Sequence, residues 1–373
     1  MFRDSTDSLP QQPPATRPRP AIRTAGGGYF PLFDGLRIVL ALAVVLHHEG
    51  VFGWRNAGNL AVQVFFSLSG WLIGGILLGT SREGLARFWF NRATRIWIPY
   101  LSALALLLSV ALARDRVTPT WLRTAFHYAT FTYNWFGYAP VEAGHAIASA
   151  MPLRGSGHPL WSICAEEQFY LVAPLVLVLA PRWLGRSRSA WVLLSLAAVV
   201  GDVYGSISLG VLAAVVRTRH GDWHLTRAGT AALGATGLGA AAALLAGAPY
   251  HLAAPFFSVS LVLLLAREGA RSRLGAFLGG VSYPLYLNQW IAILAANVLL
   301  RRSGIHWPGV EPALACVLAL GVSAVMFKAV DEQSMKRRGR WFTRPIGWTV
   351  ATVGFVAVGI GLVLGIAWGP IAS

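Results

Sequence analysis

The feature that most constrains this chain is a succession of apolar runs, several of 18 residues or more, separated by short gaps that carry arginines. A run of that length spans the hydrocarbon core of a bilayer as a helix, because a helix satisfies its backbone polar groups internally. The runs lie at about 33–50, 60–79, 96–113, 159–180, 190–202, 204–217, 227–247, 250–266, 275–300, 310–330 and 345–368. They predict an all-α fold, a polytopic transmembrane bundle of about 10–11 helices. Composition agrees: 55% of the 373 residues are hydrophobic and only 12% charged, about half the charge of a soluble protein.

A net charge of +16 raises the possibility of nucleic acid as a partner, but the distribution argues against it. With the N-terminus inside, alternate gaps place 22 of the 31 Lys and Arg on the cytoplasmic side and 7 outside, with Arg37 and Lys328 within spans. That asymmetry is the positive-inside pattern, so the partner is the lipid bilayer. It predicts a cytoplasmic N-terminus and an external C-terminus. Residues 1–28 are polar, rich in proline and end in Gly26-Gly27-Gly28. They predict a disordered cytoplasmic tail with no cleaved signal peptide. Residues 29–335 form the expected membrane domain, and 336–373 a basic loop with an extra C-terminal helix. Cys164 and Cys316 fall inside apolar runs, against a disulfide framework, and no metal site is assigned.

Two stretches strain this scheme. Residues 190–217 are short for two spans, yet one span there would invert every later loop, so a break at Gly201-Asp202 is expected. Residues 114–158 are long for a loop and carry the aromatic run Phe126 to Phe136. They predict a partly helical interfacial or re-entrant segment.

Five stretches can carry chemistry. Arg37 and His48 are eleven residues apart in the first run, so they share a helix face about 16 Å apart, while His47 points about 100° away. Ionisable residues within a span usually face the bundle interior; the alternative is a snorkelling Arg and a His satisfied by a neighbour. Arg92 and Arg95 share a face three residues apart, a pair suited to phosphate, or else ordinary positive-inside flanking. Glu166 and Glu167 are adjacent carboxylates in an apolar run, which marks a site or an interhelical ion pair, for example to Arg37. Ser67-Leu68-Ser69-Gly70 suits close helix packing first. Ser282 to Trp290 places polar groups around Pro284 in mid-span and predicts a kinked, cavity-lining helix.

In this order the stretches resemble the acyltransferase 3 family of bacterial membrane acyltransferases. Asp34-Gly35-Leu36-Arg37 with His48 is similar to its Arg-X10-His motif. Phe65 to Gly70 is similar to its Phe-Phe-Val-Leu-Ser-Gly, and Arg92 to Pro99 to its Arg-X-X-Arg-Ile-X-Pro. Leu160-Trp161-Ser162 through Glu166-Glu167-Gln168-Phe169-Tyr170 resembles its Leu-Trp-Ser-Leu-Ser-Val-Glu-Glu-Gln-Phe-Tyr, and Val281 to Leu287 its late Ser-Tyr-Ser-Leu-Tyr-Leu. The resemblance implies O-acyl transfer, usually of acetyl, from cytoplasmic acyl-CoA to a hydroxyl of a cell-envelope carbohydrate or glycolipid, in the bacterial inner membrane. Acyl-CoA is then a donor substrate, and no tightly bound cofactor is expected. His48 would be the general base and Glu166 its orienting partner. Arg37, Arg92 and Arg95 would hold the CoA phosphates, and Trp161, Ser69, Tyr283 and Asn134 would contact substrate. There are departures. Gln63 and Gln289 stand where the family often has Asp and His, Asp331-Glu332 replaces a glutamate-proline pair, and no esterase-like domain is expected after the last span. A membrane transporter or flippase for a sugar or acylated product is the alternative, although no inverted repeat is visible.

Overall fold

A computed structural model describes residues 28–137, 144–304 and 309–371 of the chain. Residues 1–27, where the disordered tail was expected, lie outside the described residues. Among the described residues there is no β-strand. The helices are α1 (Pro31–His48), α2 (Ala57–Leu78), α3 (Leu85–Arg114), α4 (Pro119–Ala129), α5 (Tyr133–Phe136), α6 (Gly144–Ala150), α7 (Trp161–Pro174), α8 (Arg182–Gly185), α9 (Arg188–Val200), α10 (Gly205–His220), α11 (Arg227–Leu245), α12 (Tyr250–Leu265), α13 (Arg273–Ser303), α14 (Val310–Met326), α15 (Glu332–Trp341) and α16 (Arg344–Trp368). Eight helical segments are long and apolar enough to cross a membrane, and α9 and α12 are shorter apolar helices. With α10, each of the eleven expected runs falls on a helix, and the chain is a polytopic membrane protein.

The break in 190–217 is real. α9 ends at Val200 and α10 starts at Gly205, with Asp202 and Tyr204 both in the left-handed region at φ 53°. That conformation is unfavourable for residues with a Cβ, and packing holds Tyr204 in it. Its ring stands edge-on to Phe66 at 5.8 Å, and its hydroxyl accepts from Asn134 Nδ2 at 2.6 Å. The bundle is built around α2 and α10. A Cβ on Gly70 would collide with the Ile207 carbonyl, and one on Gly210 with the Ser67 carbonyl. Ser67 Oγ donates to the Ser206 carbonyl at 3.2 Å. The Ser67–Gly70 stretch therefore does pack closely, as small residues at membrane helix contacts do. Ser69 points to a different side of the same helix.

The aromatic stretch of 114–158 is partly helical, as expected, but it is turned inward. His127, Tyr128, Phe131 and Tyr133 are all buried, and the Tyr128 and Tyr133 rings lie 4.4 Å apart. The basic segment after 335 differs from the expected loop. A π-helical turn, Phe327–Asp331, carries α14 straight into α15, so helix runs from Val310 to Trp341. α16 is docked along its length. Gly347, Ala351, Gly354, Gly361 and Gly365 form a buried stripe at steps of one or two helical turns. It lies against Ala86 and Trp97 of α3, Leu171 of α7, Thr130, Thr132 and Phe136. At its end the Arg123 guanidinium donates to the carbonyls of Trp368 and Gly369 at 2.7 and 2.6 Å. These are acceptors that a helix C-terminus leaves without intrahelical partners.

Candidate active site

α1, α2, α3, α7, α13 and the turn before α15 enclose a cavity of about 500 Å³. Six of the expected site residues line it: Arg37, Ser69, Arg92, Arg95, Glu166 and Tyr283. They come from five different helices, so the bundle, not local sequence, assembles them. Asp34, Tyr170, Arg271 and Asp331 line it too. Sequence reasoning did not single these out, although a charged residue closing an apolar run, such as Asp331, was a usable signal.

The polar contacts set the cavity's character. Arg37 pairs with Asp34 one turn back on α1 at 3.5 Å, and Asp34 also accepts from the Tyr29 hydroxyl. The ion pair of Arg37 thus goes to its own helix and not to Glu166. Ser69 Oγ donates to Glu166 Oε1 at 2.5 Å and lies 3.1 Å from the Tyr170 hydroxyl. Among the described residues, neither Arg92 nor Arg95 forms an ion pair. The sequence placed these arginines at the start of a span beginning near 96. α3 instead begins at Leu85, so Arg92 sits about 10 Å along the helix. Arg92 is half-buried and Arg95 exposed, and guanidiniums lining a cavity without an ion-pair partner have the donors that an anion takes. Of the late polar stretch, Ser282, Tyr283 and Tyr286 line the cavity, as expected of α13. Tyr283 donates to the Ile96 carbonyl at 3.3 Å.

Three expected residues lie elsewhere. Asn134 exchanges hydrogen bonds with the amide of Gln168 at 3.2 and 2.9 Å and donates to Tyr204. Its amide joins α5 to Gln168 of α7 and to Tyr204 ahead of α10, and it does not line the cavity. Trp161 is not in the cavity wall; its ring stands edge-on to Phe66 at 5.8 Å. His48, the last residue of α1, is exposed and also off the cavity wall. Its Nδ1 meets Gln289 Oε1 at 3.0 Å. No hydrogen bond joins His48 to Glu166 among the described residues: His48 meets Gln289, and Glu166 meets Ser69. The reason is direction: Glu166 leaves α7 toward α2 and the arginines, whereas His48 sits at the outer end of α1.

One residue separates the two regions. Tyr286 lines the large cavity and also a small one of about 10 Å³, which Gln289 and Trp290 line as well. Its hydroxyl donates to the Pro159 carbonyl at 2.8 Å and lies 2.7 Å from Ser162 Oγ. The arginine-lined cavity therefore ends at a tyrosine septum, and His48 is held by Gln289, three residues further along α13.

The sequence profile of the family described as an acyltransferase domain matches residues 30–364. The chain belongs to the acyltransferase 3 family. The matched acyltransferase domain takes in most of α16. The chain is 30% identical over 197 residues to the peptidoglycan O-acetyltransferase OatA of Listeria monocytogenes, covering 51% of this chain and 29% of that protein. It is 28% identical over 163 residues to the O-acetyltransferase OatA of Staphylococcus aureus, covering 40% of this chain and 25% of that protein. The chain thus matches little more than a quarter of the length of these relatives. No solved structure matches it.

Proposed function

We propose that this acyltransferase moves an acyl group, acetyl by analogy with the relatives' names, from cytoplasmic acyl-CoA to a hydroxyl of a cell-envelope carbohydrate such as peptidoglycan or a glycolipid precursor. The observation that carries the reading is the convergence of Arg37, Arg92 and Arg95 with Ser69 and Glu166 on one cavity of about 500 Å³. Guanidiniums suit phosphate bidentately, and a volume of this order lies in the range of small-molecule sites. Acyl-CoA enters as a substrate, its phosphates on the arginines and its acyl end toward the septum. His48 Nε2 takes the proton of the acceptor hydroxyl as that oxygen attacks the thioester carbonyl. The C–S bond breaks, CoA leaves as thiolate and takes up a proton on its own side of the septum, and His48 gives its proton to solvent on the acceptor side, which restores neutral His48. Glu166 offsets part of the positive charge and fixes the Ser69 hydroxyl.

Detergent-purified protein given acetyl-CoA and a soluble muropeptide is expected to yield an O-acetyl product, seen by mass spectrometry as an added acetyl mass that alkali removes. Absence of both product and acetyl-CoA binding would overturn the reading. Normal acetylation in a deletion strain, with the product confined to the cytoplasmic side, would favour the transporter.

The charge asymmetry supports a bacterial cytoplasmic-membrane location with the N-terminus inside and the C-terminus outside. Reporter fusions after Arg188 and after Arg273 are both expected to give cytoplasmic signals. A periplasmic signal after Arg273 alone would mean that α9 and α10 do not cross separately.

A further inference from the structure

We infer that Gln289 is the positioning residue for His48, holding its imidazole as the Nδ1–H tautomer so that Nε2 keeps the lone pair. The inference rests on the reading of His48 as the general base and adds the group that makes it one. Gln289 is 2% exposed and has two partners. Its Nε2 meets the Tyr286 carbonyl at 3.0 Å, and its Oε1 meets His48 Nδ1 at 3.0 Å. A backbone carbonyl only accepts, so the amide nitrogen must face Tyr286 and the amide oxygen must face His48. An amide oxygen also only accepts, so Nδ1 must carry the proton. In a neutral ring the other nitrogen is then the base. His48 Nε2 makes no hydrogen bond among the described residues, and the side chain is exposed, so that lone pair is available to an acceptor hydroxyl.

The neighbouring amide does not make this contact: Asn288 Nδ2 donates to the Pro284 carbonyl at 3.0 Å, and its buried Oδ1 has no hydrogen-bond partner among the described residues. The titratable groups around His48 are His47 on α1 and His158 from the turn before α7. Among the described residues no carboxylate pairs with it. Gln289 thus orients the ring without the charge that a carboxylate partner brings, and a carboxylate placed there has a defined effect.

The test uses purified full-length protein, acetyl-CoA and the soluble muropeptide, with rate against pH as the readout. Gln289→Leu removes the acceptor and is expected to lower kcat about 10- to 100-fold, the range seen when a histidine loses its orienting partner. KM for acetyl-CoA should be unchanged, since the arginine cavity is untouched. Gln289→Glu keeps size and acceptor and adds a charge that favours imidazolium. The acidic limb of its pH profile is expected to rise by about one unit or more. A merely structural role would not move that limb, and if Gln289→Leu fails to fold, the Glu variant still decides. If His48→Ala is inactive while both Gln289 variants keep wild-type kcat and pH profile, this inference is overturned and the base assignment stands. If His48→Ala is active, the base assignment itself fails.

Discussion

His48→Ala is expected to reduce acyl transfer about 10²–10⁴-fold, the contribution of a positioned general base, while leaving acetyl-CoA affinity and thermal stability in detergent near wild type. The side chain is exposed at the end of α1 and makes a single hydrogen bond, to Gln289, so little packing is lost with it. His47→Ala should do the reverse. The His47 ring lies where a Cβ on Gly58 of α2 would have to be, and its Nδ1 is buried without a partner. Removing it costs packing between α1 and α2, so the melting temperature should drop while turnover per folded molecule persists. Turnover and melting curves measured together on both variants check this. Loss of turnover in His47→Ala with His48→Ala intact would reverse the roles of the two histidines.

Arg92→Ala and Arg95→Ala are each expected to weaken acetyl-CoA binding about ten- to a hundredfold, as loss of a charge-assisted contact worth about 1.5–3 kcal/mol implies. The two guanidiniums sit three residues apart on α3, face the same cavity and lack ion-pair partners among the described residues. Like charges so placed repel. Removing one should leave the empty protein at least as stable as before, a pattern opposite to that of a structural arginine. Arg92→Lys keeps the charge but not the planar fork, and is expected to fall between wild type and Ala. Titration calorimetry on detergent-purified variants reads this directly. Unchanged affinity in well-folded Ala variants would return both residues to simple positive-inside flanking.

The membrane class and each apolar run were legible because hydrophobic length is a local property of the chain. The break at Gly201–Tyr204 was legible for a different reason: charge alternation along the whole chain demanded it, even though each half looked short. The cavity was legible in its members but not in its pairings. Arg37 and Glu166 were marked by charge within apolar runs, Arg92 and Arg95 by their shared helix face, and Ser69 and Tyr283 by the family resemblance, and all line it. The expected bond from Glu166 to His48 failed because helical spacing fixes a side chain's bearing on its own helix but not which neighbour that bearing meets. Asn134 and Trp161 failed similarly, since a motif position does not reveal whether a side chain is already engaged by Gln168 or Phe66. Gln289 was visible only as a departure from the family pattern, and its role required the position of α1 against α13. The helical continuation from α14 into α15 was missed because charge density there reads as loop, whereas the helix is carried on by a π-turn.

The Tyr286 septum also has an electrical consequence. A wet, arginine-lined cavity reaching into the bundle is close to the potential of the compartment it opens to, so the transmembrane voltage drops mainly over the remaining thin layer. Tyr286 and Ser162, closed on the Pro159 carbonyl, are part of that layer. Moving one unit charge across it against 100 mV costs about 2.3 kcal/mol. On the proposed reading, the phosphates of CoA stay on the near side while the acyl group passes to the acceptor. In the proposed reaction the acceptor's proton leaves on the far side and the thiolate is protonated on the near side, so each transfer displaces one unit charge across this layer, and its rate is expected to depend on the membrane potential.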